Sequence, residues 1–191
     1  MKNIAIFASG SGSNAENIVK YFEGDGFIKV ALVLSNNPKA GVHARVNALG
    51  VPSFTFTRDE FTDATPIMRK LTEYGVSFIV LAGFMNKISE PLLNAFPNSI
   101  INIHPALLPK YGGKGMYGIH VHEAVIEAGE AESGITIHYI NKQYDEGPVI
   151  FQASCRLSPS DTPETLAARI HALEHAHYPR LIEELLRPLG D

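Results

Sequence analysis

A single cysteine, Cys155, is present among 191 residues, so no internal disulfide can form and the fold has to rest on its core. No apolar run approaches eighteen residues, which argues against a membrane-spanning helix. Positive charge is not in excess either. The 16 Lys and Arg stand against 20 Asp and Glu, a net charge of −4, and they are scattered singly with no basic stripe to track a nucleic-acid backbone. The opening "MKNIAIFASGSGSN" has only about six apolar residues before its glycines, too few for a secretory leader. No nucleic acid, no membrane, a small-molecule partner and a cytoplasmic location are the expectations.

What the chain does contain is a 45% hydrophobic complement spread along its length, enough for one core and one domain over 1–191. Short runs rich in β-branched and aromatic residues, "NIAIFA" (3–8), "KVALVLS" (29–35), "SFTFT" (53–57), "FIVLAG" (78–83) and "SIIN" (99–102), predict strands. Between them, 14–22, 40–49 and 64–74 repeat apolar residues every three or four positions, as helices covering a parallel sheet do. "GITIHYI" (134–140) and "PVIFQASCRL" (148–157) flank "NKQYDEG" and predict two antiparallel strands joined by an ordered loop. A last helix is expected to open on a capping box formed by Asp161 and Glu164 and to run towards Leu186. The fold class is therefore α/β: one Rossmann-like domain, a mixed and mostly parallel sheet, and helices on both faces.

Two places carry chemistry. "ASGSGSNAENIV" sets Gly10 and Gly12 between the first strand and first helix, where backbone N–H groups and a helix N-terminus make an anion pocket. Gly10-x-Gly12-x-x-Ala15 also meets a relaxed dinucleotide fingerprint, but that fingerprint needs an acidic residue roughly twenty positions on, and here the second strand closes with "LSNNPKAG". Ser13 and Asn14 suit a terminal phosphate better. The alternative is a plain βα turn.

The second place is "INIHPALLPKYGG" (101–113). A buried strand turns polar at Asn102 and His104, as it would on reaching a pocket at the carboxyl end of an open sheet. "YGGKGMYG" (111–118) reads as a glycine-rich lid. Asp145 in "YDEGP" is placed to meet His104, and a carboxylate there favours imidazolium. An amide, a cationic imidazole and a carboxylate suit attack of an amine on a carbonyl carbon, with Asn102 and His104 holding the oxygen as it becomes anionic. His120 and His122 raise a metal reading, but an i, i+2 pair diverges on a helix, and no metal is expected. Cys155 falls inside a strand and reads as a core residue, while the facing of His138 is left open.

"FASGSGSN", "LAGFM", "INIHPALLPKYGG", "VHEAV", "GITIHYI", "DEGPVI" and "EHAHYP" together resemble, over almost the whole chain, the folate-dependent phosphoribosylglycinamide formyltransferases of purine biosynthesis. Other folate-dependent formyltransferases carry an added C-terminal domain or an N-terminal regulatory one, and the length is read as leaving room for neither. The resemblance implies a cosubstrate, 10-formyltetrahydrofolate, whose formyl group passes to the amine of glycinamide ribonucleotide. It implies that residues 1–100 supply the nucleotide-phosphate side and 101–191 the folate and catalytic side. It further implies that Asn102, His104 and Asp145 are catalytic. Gly12, Ser13, Asn14, His171 and Glu174 would hold the nucleotide. Met85, Asn86, Lys87 and Ile88, with Asn102 and the Asn141, Lys142, Gln143, Tyr144, Asp145 loop, would hold the folate.

Overall fold

The computed structural model describes residues 1–187. Strands β1 (Lys2–Phe7), β2 (Ile28–Ser35), β3 (Ser53–Thr55), β4 (Val76–Leu81) and β5 (Ile100–His104) are parallel. β6 (Glu132–Tyr139) and β7 (Val149–Arg156) each run antiparallel to the strand before, giving one sheet in the order β3-β2-β1-β4-β5-β6-β7. The helices are α1 (Ser13–Tyr21), α2 (Gly41–Ala48), α3 (Arg58–Asp63), α4 (Thr65–Glu73), α5 (Glu90–Ala95), α6 (Ile119–Glu127) and α7 (Pro163–Leu186).

Alternation along each strand builds two cores. Ile4 and Ile6 of β1 pack with Ile18 of α1, Val42 and Val46 of α2, Val125 of α6 and Leu166 and Ile170 of α7. Ala5 and Phe7 point the other way, to Phe61 of α3, Ile67 and Leu71 of α4 and Leu92 of α5. Each such apolar side chain, once buried, contributes about 1.5–3 kcal/mol. Helices thus cover both faces, as the alternation of runs predicted.

Three helices differ from the sequence expectation. α3 and α5 are six residues each, too short to show a period of 3.6, and α3 is held by a Thr57–Glu60 capping box. The box on α7 is a correction: it is formed by Thr162 and Thr165, not by Asp161 and Glu164. Pro163 takes the first helical position, which fixes Thr162 as the cap, and Asp161 instead accepts from the Ser158 N–H and the Thr165 hydroxyl.

Two details of this scaffold position the site. The order reverses between β1 and β4, so a crevice opens beyond their carboxyl ends. The β5–β6 register sets Asn102 opposite His138 and His104 opposite Thr136. Ile101, Ile103, Ile135 and Ile137 belong to the core on the α7 side, so these four polar residues share the opposite face.

Candidate active site

A cavity of about 760 Å³ opens beyond the carboxyl ends of β1, β4 and β5, within the size usual for small-molecule sites. At one end lies the glycine turn. Gly12 caps α1 in the left-handed region, φ 78°, and a Cβ there would fall 2.5 Å from Val42 Cα, so glycine is required twice over. The first-turn amides of α1 have no partner within the helix, and Ser13 and Asn14, which carry two of them, line the cavity. Ser13 Oγ lies 2.8 Å from His171 Nε2, and Asn14 Nδ2 donates to Glu174 Oε2 at 2.8 Å. Burial pushes the Glu174 carboxyl above its usual range, partly offset by the Asn14 hydrogen bond. Side chains from both ends of the chain therefore build this corner.

Farther along, Asn102, His104 and Asp145 meet. His104 is buried, and its Nε2–H donates to the Tyr111 carbonyl at 2.7 Å while Nδ1 stands 3.6 Å from Asp145 Oδ2. That carboxylate oxygen also accepts the Gly113 N–H at 2.9 Å. The lid segment is thus tied to the histidine and the carboxylate by its own backbone. Thr136 fixes the chain after His104: its hydroxyl donates to the Ala106 carbonyl at 2.7 Å and accepts from the Leu108 N–H and from Gln152 Nε2.

His138, whose facing the sequence left open, is fully buried and belongs to the site. Its Nδ1 donates to the Tyr139 carbonyl at 3.0 Å, which leaves Nε2 bare to accept from Asn102 Nδ2 at 3.3 Å. Burial depresses the His138 pKa, the Tyr139 hydrogen bond and Asp145 oppose this, and the ring is neutral. The 3.7 Å approach of its Nε2 to Asp145 Oδ1 is consequently no ion pair. One Asn102 amide proton is spent on His138 and the other is free for a ligand. The signal for this residue was the strand register, which sequence alone did not supply.

The predicted folate residues divide. Met85 and Tyr144 line the cavity, and the Met85 N–H is fixed by Ser9 Oγ at 3.1 Å. Beneath them Phe84 packs edge-on against Phe7, Phe56 and Phe61. Ile88 is core, 5% exposed, while Asn86, Lys87, Asn141, Lys142 and Gln143 do not line the cavity. The two loops are joined across the mouth by Lys87 over the Tyr144 ring at 5.8 Å and by an ion pair between Lys142 and Glu90. Cys155 lies outside this cavity, half-buried on β7, with burial pushing its thiol up. Among the described residues no group of three or more His, Cys, Asp or Glu is gathered as a metal ion would need, and none of the helices is long and apolar enough to cross a membrane.

Fold and site define a class: an open α/β domain with an anion cradle at one end of a cavity and an amide, imidazole and carboxylate suited to acyl-type transfer at the other. The formyl transferase family model matches residues 2–182, and the chain belongs to that family. It is 42% identical over 190 residues to the chloroplastic phosphoribosylglycinamide formyltransferase of Arabidopsis thaliana, covering 95% of this chain and 64% of that protein. To the phosphoribosylglycinamide formyltransferase of Bacillus subtilis it is 39% identical over 191 residues, covering 97% and 95%. Among solved structures, the phosphoribosylglycinamide formyltransferase of Anaplasma phagocytophilum superposes with a TM-score of 0.90 at 34% identity, covering 100% of this chain and 90% of that one. The Bacillus halodurans enzyme of the same name gives 0.88 at 36% identity, covering 97% and 96%.

Proposed function

We propose that this chain transfers the formyl group of 10-formyltetrahydrofolate to the primary amine of glycinamide ribonucleotide, and that it does so in the cytoplasm. The observation that carries the reading is the convergence of Asn102, His104 and Asp145 on the cavity that also holds the glycine turn. The α1 amides with Ser13 and Asn14 take the phosphate, and His171 and Glu174 contact the rest of the nucleotide. Met85 and Tyr144 take the folate, Asn86, Lys87, Asn141, Lys142 and Gln143 reach it only from the rim, and Ile88 supports them from the core.

In this reading the amine attacks the formyl carbon and negative charge grows on the formyl oxygen; as that charge collapses back, the bond from the formyl carbon to the folate nitrogen breaks, and the folate nitrogen leaves with the proton that the attacking amine gives up. The free Asn102 amide proton and a His104 ring N–H donate to that oxygen, His104 exchanging its Tyr111 carbonyl for the ligand. Asp145 orients the imidazole and balances its charge. No protein nucleophile takes part, consistent with a Cys155 thiol that burial keeps protonated.

The test is formyl transfer by the purified protein, followed by product analysis with and without glycinamide ribonucleotide, beside the His104→Ala variant. Formylated nucleotide formed only by the unaltered protein supports the reading. Formate released at the same rate whether or not the nucleotide is present would replace it with hydrolysis.

A further inference from the structure

Among the described residues, two buried side-chain atoms on the wall of this cavity have no hydrogen-bond partner: Asn14 Oδ1 and His122 Nδ1. Asn14 belongs to the phosphate end already described. His122 has no place in the reading so far. It sits in the first turns of α6, directly after the lid segment ends at Gly118, and its side chain is 5% exposed. A buried imidazole with a sealed, unpartnered nitrogen is costly unless something else uses the ring.

The chemistry of the ring says which edge is used. A neutral imidazole carries one N–H and one bare nitrogen. A sealed N–H without an acceptor is the worse orphan, because a bare ring nitrogen forgoes only an acceptor role. The proton therefore resides on Nε2, and the Nε2 edge is what this cavity-lining ring can present to a ligand. Burial holds the His122 pKa below its usual value, and a charge on neighbouring His104 opposes a second charge on His122. What the cavity receives is a neutral donor, as distinct from a base.

Position narrows the acceptor. Asn102 and His104 on β5 serve the formyl oxygen, whereas α6 packs against α7, the helix that carries His171 and Glu174 on the nucleotide side. Next to the reacting amine, glycinamide ribonucleotide has one uncharged oxygen acceptor of the right kind, its amide carbonyl.

We propose that His122 contacts the amine substrate, donating Nε2–H to the amide carbonyl of glycinamide ribonucleotide and so aiming the adjacent amine at the formyl carbon. The inference rests on the substrate reading given above. It makes His122 a specificity residue: an amine lacking the neighbouring carbonyl leaves the donor unpaired.

Histidine ¹⁵N resonances of the full chain test this directly. Before ligand is added, His122 should show a protonated Nε2 and a bare Nδ1. Saturation with glycinamide ribonucleotide should move the Nε2 signal and leave Nδ1 in place. In kinetics, His122→Leu should raise KM for the nucleotide and lower its kcat/KM about 10–100-fold, with KM for the formylfolate within about twofold. His122→Gln, whose amide N–H falls near the Nε2 position, should recover most of the loss. A proton on Nδ1, or equal changes in both KM values for His122→Leu, overturns the proposal. So does an unmoved His122 while the His171 signal shifts. Silence at both histidines removes the substrate reading together with the proposal.

Discussion

Replacing Gly12 by alanine tests the anion cradle through its backbone. The new Cβ would lie 2.5 Å from Val42 Cα, Cβ and Cγ2, and the residue keeps φ at 78° as the cap of α1. The left-handed conformation costs an L residue about 1–2 kcal/mol and forced overpacking about 1–3 kcal/mol, so a loss near 3 kcal/mol is expected. For a domain of this size each kcal/mol moves the melting temperature by about 2–4 °C, which predicts a drop of roughly 6–12 °C in a thermal melt. Because relief requires α1 and α2 to part, the first-turn amides of α1 should also shift, raising KM for the phosphate-bearing substrate while leaving that for formylfolate nearly unchanged. Val42→Gly in the same chain removes the two side-chain atoms that clash, but neither the clash with the Val42 backbone nor the φ strain, and it forfeits a fully buried core side chain, so it should not restore the lost stability. A Gly12→Ala protein melting within about 2 °C of the unaltered one, with both KM values unchanged, would refute the claim that this turn is sterically locked and holds the phosphate.

If Asn102 donates to the developing oxyanion as proposed, Asn102→Ala should lower kcat by about 10²–10³-fold with little change in either KM, measured in the formyl-transfer assay. Thr136→Val deprives the Leu108 N–H of its acceptor, Gln152 Nε2 of one of its two acceptors and the Ala106 carbonyl of its donor, a loss of about 2–3 kcal/mol in denaturant unfolding; unchanged stability would mean the 105–109 segment is fixed in some other way. Glu174, whose folded pKa is raised, binds its proton more readily folded than unfolded, so its contribution to stability is complete below the ordinary carboxylate range and is lost as pH rises through the raised value. Glu174→Gln should therefore gain stability over the unaltered protein as pH rises from 4 towards 8, where a pH-independent difference would contradict the burial argument. His122 and His138 have the opposite sign: both are depressed by burial, so stability held above about pH 6.5 should fall with acid, by about 1.4 kcal/mol per pH unit for each at the steepest.

How much of this was legible in the sequence depends on the range over which each feature is encoded. The strands were readable because burial on both faces makes them continuous runs of Val, Ile, Leu and Phe, and the glycine turn because a left-handed cap beside Val42 accepts no other residue. Asn102 and His104 stood out as polar residues at the end of a buried strand, whereas Asp145 lies in a loop of ordinary polar composition and was reached only as a carboxylate placed to meet His104. The α7 cap was misplaced by one residue because Asp161 and Glu164 satisfy the same spacing as Thr162 and Thr165, and only the position of Pro163 in the formed helix separates the two.

The polar residues that support the trio were hidden for a different reason. His138 and Thr136 look like ordinary alternation in an antiparallel strand, and a shift of register by one residue would have sent both into the α7-side core. The pairing that places His138 on the Asn102 amide is fixed by contacts between segments about 36 residues apart, so it exists only once β5 and β6 have met. The same register that buries Ile135 and Ile137 leaves Asn102 with one amide proton directed at His138 and one at the cavity. The packing of one face of the sheet thereby sets the donor available on the other, and core substitutions in β6 should be felt in the chemistry before they are felt in the fold.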